Sequence, residues 1–187
     1  ARGVDNAILL TDPAVDGSDQ QALGKILASG LKKLGDYNLV LAGKQAVDSD
    51  SAQVPGAVAA ALDLPQALFV KKFENVDSGK ATVFRTTEEG YDVVELTLPA
   101  VVSVVKEINE PRLPSLKGKM AAKKKEIQKW AASDLGITTD NLGANSGTKK
   151  VSVAPPPPRA KGEMIAGETP EEIADNLYNK LKENQIL

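Results

Sequence analysis

The residues best placed to do chemistry in this 187-residue chain lie in one loop, GKQAVDSDSAQV, from Gly43 to Val54. A short apolar run rich in β formers, Asn38–Ala42, precedes it. A helical pattern follows, with Val54, Val58, Ala61 and Leu62 recurring until Pro65 ends it and Ser51 as candidate N-cap. In an open α/β sheet, ligands sit in the loop after the carboxyl end of a strand. The first amides of the next helix lack intrahelical partners, so they are free to donate to an anion such as a phosphate. The candidate binding residues are therefore Gly43, Lys44, Gln45, Ala46, Asp48, Asp50, Ser51, Ala52, Gln53 and Val54. The loop is neither G-x-G-x-x-G nor a Walker A sequence, and an ordinary βα loop is the competing reading. Asp48 and Asp50 suit an anion site poorly. Their carboxylates are expected to point away, toward backbone amides or ribose hydroxyls, or simply to close the turn.

What the chain lacks narrows the chemistry further. It has no Cys, which removes disulfides, thiolate nucleophiles and Cys-ligated metals, and no His, which removes the usual general base and the commonest metal ligand. A protein that binds something else that does the chemistry is expected, with no catalytic residues or metal of its own. A net charge of −2 supplies no global drive toward nucleic acid or membranes. Apolar content of 42% and charged content of 26% fit a soluble globular chain. No apolar run is long enough to span a bilayer, and ARGVDNAILL is not a signal peptide pattern.

The elements that must position the loop read as α/β. Asn6–Leu10 is a buried strand, followed by a turn at Asp12-Pro13 and Asp16-Gly17. Ser18 caps a helix with Gln21 completing a capping box, and Leu23, Ile26, Leu27, Leu31 and Leu34 form its stripe. With Asn38–Ala42 this makes a βαβ unit of parallel strands. Ala67–Glu74, Lys80–Thr87 and Tyr91–Leu98 form an antiparallel meander, and Ala100–Val105 is a strand buried on both faces. Lys106–Lys129 is basic, with an exposed loop Asn109–Ser115 leading into a short helix around Leu116–Lys125. A solvated face is the ordinary reading of such a charge run, and aromatics for stacking nucleic acid are nearly absent. Thr138–Lys150 reads as a linker, Val151–Val153 as a short strand and Pro155–Pro158 as a stiff spacer. A last helix is capped by Thr169 with Glu172, and carries Ile173, Leu177 and Leu181 on one stripe with Tyr178 beside them.

Three blocks taken together, GKQAVDSDSAQ, LPAVVSVVKEINEPR and LKGKMAAKKKEI, resemble the β subunit of electron transfer flavoproteins, in order, spacing and the length between them. The resemblance implies a Rossmann-like α/β fold: an open, mostly parallel sheet with helices on both faces, an antiparallel meander and an extended C-terminal arm ending in a helix. The division expected is a nucleotide-binding domain over 1–136 and a partner-wrapping arm over 137–187. It further implies a heterodimer whose α subunit holds the redox-active FAD, with AMP, or a second FAD in electron-bifurcating members, in the β subunit. Electrons would pass between acyl-CoA or other flavin dehydrogenases and a membrane quinone oxidoreductase, or ferredoxin in bifurcating systems. The setting would be bacterial cytoplasm or a mitochondrial matrix. By the same resemblance, Asn109, Glu110, Pro111, Arg112, Leu116, Lys123 and Lys124 belong to a recognition surface, with Leu116 matching an exposed leucine that enters a pocket on the dehydrogenase.

The chain departs from the family pattern in three places. A further N-terminal strand–helix segment that usually contributes to the pocket is not in this sequence. Ala52, Val54 and Pro55 stand where many AMP-binding members have Asn-x-Thr-Gly, which shifts phosphate binding toward backbone amides. Ala121 stands at a lysine methylated in some members, and Lys124 at a second such position. Two other classes compete. A stand-alone nucleotide-binding module would share the loop but leave the basic segment and proline arm without a role. A nucleotide-hydrolysing enzyme would need a pyrophosphatase loop that is not present.

Overall fold

A computed structural model describes residues 1–159 and 161–187. The chain divides into two compact units, Ala1–Lys149 and Lys150–Leu187. The first is α/β. Strand β1 (Ile8–Leu10) leads to helix α1 (Gln20–Leu34), strand β2 (Leu39–Gly43) and helix α2 (Val54–Leu62). The meander β3 (Gln66–Val76), β4 (Lys80–Thr86) and β5 (Tyr91–Thr97) precedes β6 (Ala100–Val104), helix α3 (Leu116–Lys124) and β7 (Gln128–Trp130).

Five strands form a mixed sheet in the order β2-β6-β3-β4-β5. β6 runs parallel to both β2 and β3, whereas β3-β4 and β4-β5 are antiparallel. The continuous apolar run of β6 has its reason in burial on both faces. Ala100 and Val102 pack into a core with Val70, Val83 and Leu96, while Val101 packs with Val58 and Ala59 of α2. The two strands of the expected βαβ unit lie in different sheets. β1 pairs in parallel with β7 in a separate two-stranded sheet, and β2 pairs with β6. A helical crossover does not oblige the strands it joins to be neighbours.

Local chemistry moves several caps. Asp19, not Ser18, caps α1, its carboxylate accepting from the Ala22 N–H at 2.9 Å. Ser18 accepts from the Gly143 N–H at 2.7 Å and donates to the Val15 carbonyl. α2 starts at Val54 with Gln53 as its cap residue and no side-chain capping bond, so Ser51 is not the cap. α1 and α2 pack closely enough that a Cβ on Gly24 would stand 2.5 Å from Ala57 Cβ.

The stretch after Gly136 is not a free linker. Ile137 and buried Leu142 join Leu10, Ala22 and Ile26 in a core cluster, and the first unit runs on past 136 to Lys149. Asp19 also accepts from the Thr148 N–H at 2.9 Å, and Asp12 from the Ala132 N–H at 3.0 Å. Polar residues hid this docking because the groups doing it are backbone amides.

In the second unit Val151–Val153 is exposed and forms no strand, because no neighbouring strand pairs with it among the described residues. Helix α4 (Pro170–Glu183) begins where its caps require: Thr169 accepts from the Glu172 N–H, and Glu172 accepts from the Glu168 N–H at 2.8 Å. Its Ile173, Leu177 and Tyr178 are 40%, 44% and 54% exposed.

Candidate functional site

The loop after β2 frames a cleft of about 420 Å³ at the carboxyl end of that strand. Gly43, Gln45, Ala46, Asp48, Ser51, Ala52, Gln53 and Val54 line it, closed on one side by Gln20 and Leu23 of α1. Two non-glycine residues of the loop adopt left-handed backbone, Asp50 at φ 51° and Ala52 at φ 53°. Gln53, next in the chain, is right-handed at φ −92° and ψ −26°. Adjacent residues of opposite hand turn successive N–H groups toward one concavity, which suits an anion. Helix α2 then adds the positive end of its dipole, and Pro55 near its start removes only an N–H that has no intrahelical acceptor. The residues present therefore fit a phosphate, held by main chain and not by side chains.

Both aspartates are engaged within the loop. Asp48 accepts from the Ser49 N–H at 2.9 Å, and Asp50 accepts from the Gln45 side-chain amide. Asp50 does not line the cleft. Lys44 also leaves it, lining a second cleft with Phe69 and Arg85 instead. Successive residues of an extended strand end point to opposite sides, so Gly43 and Gln45 face one cleft and Lys44 the other. Gln20 and Leu23 are members of the site that sequence reasoning missed. In the sequence Leu23 is only one member of an apolar stripe, and the packing of α1 on α2 brings it here.

The second group of residues forms a separate surface. Asn109, Glu110, Pro111 and Arg112 are exposed, and Ser115 caps α3 by accepting from the Gly118 N–H at 3.0 Å. Leu116 is 76% exposed and Leu113 88% exposed, so neither is a core residue of this chain. Lys123 and Lys124 are exposed in the last turn of α3, where positive charge is favoured by the helix dipole. The basic stretch holds one element that charge concealed: β7, whose three residues pair with β1 in the register Ile8 to Gln128.

Among the described residues no group of three or more His, Cys, Asp or Glu side chains is arranged to hold a metal. Among the described residues no helix is long and apolar enough to cross a membrane. A family model described as Electron transfer flavoprotein domain matches residues 1–135. A protein named Caffeyl-CoA reductase-Etf complex subunit CarD, from Acetobacterium woodii, is 40% identical over 188 residues, covering 100% of this chain and 71% of that one. An electron transfer flavoprotein subunit beta from Thermoanaerobacterium thermosaccharolyticum is 38% identical, covering 100% of this chain and 72% of its own length. One of the same name from Mycobacterium bovis is 40% identical over 167 residues, covering 89% of this chain and 62% of its own.

Proposed function

The chain belongs to the electron transfer flavoprotein family, on the β-subunit side, and from that premise we propose that its loop cleft holds a nucleotide by the phosphate. Family membership carries an electron-transfer role, association with flavin and an α-subunit partner. The observation that carries the nucleotide reading is the pair of opposite-handed residues, Ala52 and Gln53, opening α2 at the carboxyl end of β2.

In this reading the β subunit is scaffold and nucleotide holder, and the flavin supplies the redox chemistry. The amides near Ser51–Val54 meet a phosphate, and AMP is the nucleotide of the leading reading. The α subunit holds the principal FAD and packs against the arm that ends in α4. Leu116, ringed by Lys117, Lys119 and Lys123–Lys125, is the anchor for an acyl-CoA or other flavin dehydrogenase, with a membrane quinone oxidoreductase as acceptor. Bacterial cytoplasm is the proposed setting.

A second reading places another FAD, not AMP, in the same cleft. It is favoured by the 40% identity to a subunit named as part of a caffeyl-CoA reductase–Etf complex. One measurement separates the two. Nucleotides released on denaturing the purified heterodimer are identified and counted against protein. One FAD with one AMP supports the first reading, and two FAD the second. FAD alone, with no nucleotide attributable to this subunit, refutes both.

A further inference from the structure

Lys44 leaves the loop cleft, and the place it goes to has the chemistry of a site. The second cleft, about 450 Å³, is lined by Lys44, Phe69, Arg85, Thr86, Thr87 and Val105, with Glu88 also on its wall. Its size lies within the range of small-molecule clefts. It sits where the parallel strands β2 and β6 end, at Gly43 and Val104, which is where open α/β sheets bind ligands.

Its floor is held in an uncommon conformation. Phe69 has φ 63°, a region that a bulky residue enters only when its surroundings force it. The forcing groups are visible. β3 shifts register against β6 between Ala67 and Val70, and the Phe69 N–H donates to Ser103 Oγ at 2.9 Å. Ser103 is 1% exposed and is the one buried polar side chain among the described core residues. Lys44 Nζ stands 5.8 Å from the Phe69 ring centre.

Of the two cations, Arg85 is loosely ion-paired with Asp92 and Lys44 has no ion partner among the described residues. Arg85 Nε is out of contact with solvent and makes no hydrogen bond. Asp92 Oδ2 lies 3.6 Å away, near enough for Coulomb attraction and too far for a hydrogen bond. Lys44 makes no hydrogen bond or ion pair to any described residue. The Arg85 side chain as a whole is 40% exposed and lines the cleft, although its Nε is sealed from solvent.

From these observations we infer that the cleft between Lys44 and Arg85 is a second anion site, taking a phosphate-type oxyanion. Arg85 supplies planar donors, Lys44 a point charge and the two threonines hydroxyl donors. Phe69 and Val105 form the apolar wall. Glu88 on the wall and Asp92 beside Arg85 oppose the anion and limit affinity. The oxyanion has two available sources, free phosphate or a further phosphate of a nucleotide seated in the neighbouring loop cleft.

The test is a titration of the isotope-labelled protein with inorganic phosphate in a phosphate-free buffer, followed by amide NMR. Shifts are expected at Lys44, Thr86 and Thr87. Arg85→Gln and Lys44→Ala should each weaken binding by about tenfold, and Glu88→Gln should tighten it. Lys44 is exposed, so its variant keeps the fold intact if Arg85→Gln does not. AMP binding in the loop cleft should survive Lys44→Ala, which separates this site from the nucleotide reading. Displacement of phosphate by ADP but not by AMP assigns the nucleotide as source. Independent binding of phosphate and ADP assigns free oxyanion. Wild-type affinity in both cation variants, or shifts confined to the lysines of α3, overturns the site.

Discussion

Leu116 lies outside the core of this chain. At 76% exposure it contributes little to the core, so Leu116→Ala should leave the thermal midpoint nearly unchanged. A buried leucine would cost about 2–5 kcal/mol on the same change. If Leu116 is the dehydrogenase anchor, stopped-flow reduction by the partner should slow several-fold in a normally stable variant; an unchanged rate removes the role. Gln53 is tested in the opposite sense, through its backbone. Gln53→Pro deletes one amide from the opposite-handed pair and disturbs the start of α2. The purified heterodimer should then lose much of its β-subunit nucleotide while keeping the α-subunit flavin. Full nucleotide content in that variant would dismiss the amide cradle.

At the scale of elements, the cleft depends on how α1 meets α2. Gly24 lies under Ala57, with the Ala57 carbonyl carbon 2.8 Å from where a Cβ would stand. Ala is the better helix former by about 1 kcal/mol, but overpacking against backbone costs about 1–3 kcal/mol, so Gly24→Ala should lower stability in urea unfolding. Gly30→Ala is the control. Its Cβ would meet only the mobile end of Leu10 at 2.9 Å, so it should be neutral or stabilising. The junction of β1, α1 and residues 131–148 rests on two carboxylates. Hydrogen bonds from the Ala14 N–H, and then the Ala132 N–H, hold the Asp12 carboxyl below its ordinary value of 3.8. The Ala22 N–H does the same for Asp19, with Thr148 adding to it. A depressed folded pKa means that this stabilisation is complete above the ordinary value and is lost as pH falls through the lower one. The urea midpoint should therefore drop as pH falls below the ordinary value of 3.8. Asp12→Asn with Asp19→Asn should flatten that dependence, and an unchanged slope would show that the carboxylates are not its source.

The whole molecule adds the second unit, whose helix α4 carries an apolar stripe left half open. Ile173 and Leu177 are already more than half covered, so burying the remaining 40% and 44% on a partner would contribute roughly 1 kcal/mol each. Deleting Pro155–Leu187 should leave a folded α/β unit that no longer co-purifies with its α subunit in full yield. Undiminished co-purification would place the main contact elsewhere.

Much of this protein was determined by sequence acting locally. The meander, the buried strand Ala100–Val104, the exposed loop before α3 and the Thr169 cap each follow from periodicity, turn residues and capping chemistry within a few positions. The family followed from three blocks read together. Tertiary structure decided what depends on partners distant in the chain. β1 and β7 pair across more than a hundred residues, and nothing in three short residues of either announces the other. Residues 137–149 look like linker because they are polar and glycine-rich, yet their amides dock on Asp19 and Ser18 while Leu142 enters the core. The direction of Lys44 is of the same kind. Its place in the loop after β2 was legible, but the side it faces, toward Phe69 and Arg85, is set by strand geometry.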